Sequence, residues 1–105
     1  MAAGEVLTHG EWLVERSAGA PEALRTRALR WLSQEPPGAP LDGALASAGE
    51  RALAGALAQG EGRETALDLL AADALITLAL LARAEREPGS LGEFAQGLIV
   101  SAARP

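Results

Sequence analysis

Apolar positions along this chain recur at helical spacing, and each apolar run ends at a polar, Gly or Pro break. Leu24, Ala28, Trp31 and Leu32 stand at i, i+4, i+7 and i+8, which puts one apolar stripe on a helix. Pro21 suits the first position of that helix and Glu22 complements the dipole of its first turn. The EPPGAP segment, residues 35–40, cannot continue it. Upstream, Thr8 and Glu11 have capping-box spacing ahead of Trp12, Leu13 and Val14, which predicts a short first helix that stops near Ser17 to Gly19.

A third helix is expected from Asp42, as its N-cap, to Gln59, with Leu45, Ala48, Ala52, Leu53, Ala56 and Leu57 on one face. Ala44, Ala48, Ala52 and Ala56 recur every fourth residue, so another helix can approach closely there. This makes the third helix the natural contact surface. Gly60 and Gly62 suit the turn that ends it.

The fourth helix, from Arg63 to Glu87, is the most informative segment. Between Leu69 and Ala82 only Asp73 and Thr77 are polar. A helix apolar all round is enclosed by protein or by lipid. The run is about 14 residues, short of the roughly 20 a membrane span needs. It therefore reads as a core helix with neighbours on several sides, with no stable membrane insertion. Pro88-Gly89 stops it. Ser90 with Glu93 forms a second capping-box spacing, and Leu91, Phe94, Ala95, Leu98 and Ile99 give the last helix its apolar face.

The expected fold class is all-α: a compact bundle of about five helices with a long central apolar helix, forming a single domain over residues 1–105. Composition agrees, because Ala and Leu dominate and β-branched and aromatic residues are scarce. The chain has no Cys, which excludes disulfides, thiolate metal sites and thiol nucleophiles. Its net charge is −5 and every one of its nine cations is Arg, so its field repels nucleic acid. The N-terminal residues lack a basic stretch followed by an apolar one, so no secretory signal is read and a cytoplasmic location is expected.

Candidate chemistry is sparse. Asp73 sits inside an apolar run, where a carboxylate is costly unless paired or protonated. Thr77 follows one turn later, so the two form a small polar stripe. Asp73 reads as a structural acid bonded to an Arg, to the lone His or to a helix end, as a ligand contact, a proton site or a polar key at a subunit interface, or as an acid that reaches water between helices. His9 is the only histidine and reads as a surface or capping residue. Glu64 and Asp68 lie one turn apart at the start of the fourth helix, where the dipole favours acids. Arg25, Arg27 and Arg30 read as a solvated face, and the pairs Arg27–Trp31 and Trp12–Arg16 have the spacing for cation–π contacts. The GEGRET segment lacks the third glycine and preceding strand of a dinucleotide fingerprint, and the Lys of a P-loop.

The stretch Leu70 to Ala79, LAADALITLA, resembles a helix segment of isoprenyl diphosphate synthases. Those enzymes are much larger and hold magnesium diphosphate with two Asp-rich motifs. This chain has three Asp in all and no such motif, so the resemblance implies only how an Ala-rich helix seats an internal Asp. The expected function is a soluble helical interaction or scaffold protein without catalytic activity or cofactor, assembling with itself or with a protein partner. The alternative is a small-molecule-binding bundle or enzyme with its pocket near Asp73 and Thr77.

Overall fold

The computed structural model describes residues 8–103. Within them the chain forms α1 (His9–Arg16), α2 (Glu22–Leu32), α3 (Leu41–Gln59), α4 (Arg63–Arg86), a single 3-10 turn (Pro88–Ser90) and α5 (Leu91–Ala103), and no strand. The all-α fold class and the five helices agree with the periodicity of the sequence.

The most extensive helix–helix contact joins α3 and α4, which form a hairpin. A Gly60-Glu61-Gly62 link this short forces the two helices to run back along each other. Both glycines have positive φ, +89° at Gly60 and +126° at Gly62. Gly60 has ψ −117°, so it caps α3 outside the left-handed helical region expected for it. Gly62, with ψ 176°, lies in a region that is essentially restricted to glycine.

The hairpin explains the small residues of α3. Ala44, Ala48, Gly49, Ala52 and Ala56 are all buried. The stripe expected to be an external contact surface is therefore used inside the chain, against α4. At Gly49 the approach is closest: a Cβ there would lie 2.8 Å from Ile76 Cδ1 and 3.3 Å from the Ile76 backbone N. Gly49→Ala should lower the melting temperature measured by circular dichroism. Overpacking costs about 1–3 kcal/mol, and better helix propensity returns only about 1 kcal/mol.

From α4, the inward face contributes Ala71, Leu75, Ala79 and Ala82 to the core. α2 packs against both hairpin helices, with Ala28 and Leu32 buried. α1 adds Trp12 and Leu13, and α5 leans on the core through Phe94 and Leu98.

Helix starts agree in part with the sequence reading. The Thr8–Glu11 capping box is formed, with each side chain accepting from the other residue's backbone N–H. α2 begins at Glu22 with Pro21 as its N-cap. Asp42 is not the N-cap of α3: Pro40 takes that place and Asp42 lies in the first turn, 2% exposed. Ser90 ends the 3-10 turn, and its hydroxyl bonds Glu87 and receives a hydrogen bond from Arg83. Its role is to join α4 to α5 rather than to cap a helix with Glu93.

Candidate functional site

Two buried acids hold the bundle together, and neither is Asp73. Asp68, 1% exposed on α4, accepts from Arg27 at 2.8 Å and from the Trp31 indole N–H at 2.9 Å. Arg27 also pairs with Glu64. Arg27 and Trp31 thus meet through a shared carboxylate, not through the cation–π contact their spacing allows. The Trp31 ring instead lies 5.6 Å from the guanidinium of Arg51, which bonds Glu35 at 2.9 Å and the Trp31 carbonyl at 3.0 Å. The other expected pair is present, with Arg16 4.8 Å from the Trp12 ring. Arg16 also makes a two-pronged contact with Glu85, at 2.6 and 3.1 Å.

At the opposite end of α4, Asp42 accepts from Arg83 at 2.7 Å, from Arg86 at 2.7 Å and from the Gly43 N–H at 2.8 Å. Arg83 further stacks 4.2 Å from the Phe94 ring, which ties α5 to the same node. One acid thus pins α2 to the start of α4, and the other pins the start of α3 to its end.

Burial by itself would push both carboxyls up. At Asp42 the hydrogen bonds from Arg86, Arg83 and Gly43 together outweigh burial and hold the pKa below its ordinary value. At Asp68 the bonds from Trp31 and Arg27 do the same. A carboxyl whose folded pKa lies below its unfolded one, about 3.9 for Asp, stabilises the fold fully above that unfolded value. The stabilisation is lost as pH falls through the lower folded pKa. The melting temperature should therefore stay nearly level from neutral pH to about 5 and fall progressively below about 4.

Asp73 and Thr77 occupy a different setting. Both are exposed, on the side of α4 opposite its buried residues Ala71, Leu75, Ala79 and Ala82. α4 has neighbours on several sides, in α2, α3 and α5, as expected of a core helix, but they leave one stripe of it open. Ala66, Leu70, Asp73 and Thr77 share an outward stripe flanked by exposed Leu69 and Leu81, with Leu70 55% exposed. Among the described residues no side chain forms a hydrogen bond or ion pair with Asp73. A shallow groove of about 370 Å³ runs beside the stripe, where Asp73 and Glu50 face Leu53, Ile76, Leu98 and Ile99. Thr77 does not line it, so the groove does not bring the two candidate residues together. Ile99 and Val100 of α5 are also exposed and extend the apolar surface.

His9 lies elsewhere, half-buried at the rim of a wider groove of about 960 Å³ between α1, the end of α2 and the Pro-rich link. Arg30 is exposed as expected of a solvated face, whereas Arg27 is committed to Asp68. Among the described residues no cluster of three or more His, Asp or Glu is arranged to hold a metal ion. Comparison of the chain with protein-family models, curated proteins and solved structures finds no match.

Proposed function

We propose that this protein is a non-enzymatic interaction module that assembles with itself through the outer face of α4. The observation that carries the reading is that Leu69, Leu70 and Leu81 are open to solvent on the longest helix, with Ile99 of α5, also exposed, lining the same groove as Leu69. Contiguous apolar surface of this kind marks contact sites more often than it marks isolated folds. A second copy suits the face better than a bilayer does. α4 is long and apolar enough in composition to cross a membrane. However, its outward face carries Asp73 at its centre, which hydrocarbon penalises by about 2.5–3.5 kcal/mol. Its inward face is engaged with α3 and holds the buried Asp68 pair.

Sedimentation velocity across a range of protein concentrations tests the reading. The unaltered chain should shift from monomer toward a larger species as concentration rises. Leu70→Glu, at an exposed position, should remain monomeric with unchanged helical circular dichroism. A clean monomer at high concentration for the unaltered chain overturns it. So does co-flotation with liposomes in place of self-association.

A further inference from the structure

The outward stripe of α4 follows a two-helix seam pattern. Ala66, Leu70, Asp73, Thr77, Leu80 and Ala84 succeed one another at spacings of four, three, four, three and four, which is the a/d rhythm of a coiled coil. Leu69 and Leu81 lie on opposite flanks of that seam. The first four core positions are exposed, and Leu80 and Ala84 are half-buried. The two polar residues are the central pair of the six.

We infer that two copies pair through α4 in antiparallel orientation, with the twofold axis midway between Asp73 and Thr77. This rests on the self-assembly reading above and adds the orientation and register. In that register each seam layer matches. Ala66 of one copy faces Ala84 of the other, Leu70 faces Leu80, and Asp73 faces Thr77. The Thr77 hydroxyl donates to the Asp73 carboxylate of the other copy, and the axis repeats the bond. Charge-assisted bonds of this type are stronger than neutral ones and specific in geometry. A parallel pair would set Asp73 against Asp73 and leave two like charges in contact at the centre of an apolar seam. An antiparallel pair slipped by one heptad would put Asp73 opposite Leu70 or Ala84, neither of which has a side-chain donor. The polar layer therefore excludes alternatives in the way a single polar core residue fixes orientation and register in coiled coils.

The chain has no cysteine, so engineered thiols report without background. Ala66→Cys and Ala84→Cys are small changes on the outward face. Each variant is oxidised alone and then as an equal mixture, under conditions where sedimentation shows association. Crosslinked dimer is expected in the mixture and should be lost in either variant alone, because two copies of residue 66 sit about 27 Å apart along an antiparallel seam at 1.5 Å per residue.

In a second arm, Asp73→Leu removes the polar layer. Ala66→Cys in that background should then crosslink with itself, because orientation is no longer specified. Self-crosslinking of Ala66→Cys with Asp73 intact overturns the antiparallel register while leaving self-assembly through α4 in place. Association without any crosslink moves the interface to another face and overturns the inference. Monomer at all concentrations removes the self-assembly reading, and the register with it.

Discussion

Arg27→Met should destabilise the protein by about 3–5 kcal/mol, the range found when one partner of a buried ion pair is removed. The cost follows from what is left behind. Asp68 would keep the Trp31 indole N–H but lose the one cation bonded to it among the described residues, at a site where it is 1% exposed. A domain of this size has a total stability of roughly 5–15 kcal/mol, so the variant approaches the unfolding threshold at room temperature.

The variant also carries a pH signature. Without Arg27 the Asp68 carboxylate loses a charge-assisted hydrogen bond, so less of the variant's stability depends on Asp68 being ionised. Urea titrations should show the gap between the two proteins narrowing as pH falls below about 4. Adding Asp68→Asn to Arg27→Met should recover part of the loss at neutral pH. If Arg27→Met melts within a degree or two of the unaltered protein, the pair does not hold α2 on α4.

Leu75→Ala is the second large effect, at about 2–5 kcal/mol. Leu75 is 0% exposed and sits on the inward face of α4 among alanines. Ala71, Ala79 and Ala82 on the same helix have no side-chain length with which to fill the vacated volume, so any filling must come from leucines of the other helices such as Leu13, Leu32 and Leu45. The melting temperature should drop on the order of 10–20 °C. An exposed counterpart on the same helix, Leu70→Ala, should change the stability of the isolated chain by about 0.5 kcal/mol or less. If the two substitutions have equal effects, the inward and outward faces of α4 are misassigned.

Periodicity made the helices legible. The stripe Leu24, Ala28, Trp31, Leu32 placed α2, and the two glycines around Glu61 placed the hairpin turn, because both signals act within a few residues of sequence. Partnership between distant segments was not legible. Asp42 had the sequence signature of a cap and Asp68 that of a dipole acid, and those local roles hid their pairing with arginines from other helices. The clue present in the sequence was the excess of arginine at the ends of α4 and within α2, where a buried acid finds a planar, permanently charged donor.

Asp73 drew attention because an acid amid leucines is conspicuous on a helix assumed to be enclosed. The helix has neighbours in α2, α3 and α5, but the most extensive contact is with the alanine- and glycine-rich α3, and together they leave the stripe of Leu70, Asp73 and Thr77 open. An Ala-rich interface brings two backbones together but covers little more than one side of each helix.

The tight turn at residues 60–62 has a kinetic consequence. The largest set of native contacts starts beside that turn and extends outward along the hairpin to Asp42 and Arg83, so closing the first α3–α4 contacts costs little loop entropy and the pair is the natural nucleus for folding. α1, which reaches the rest of the bundle through α2, the Arg16–Glu85 contact and its buried Trp12 and Leu13, then docks on the preformed pair.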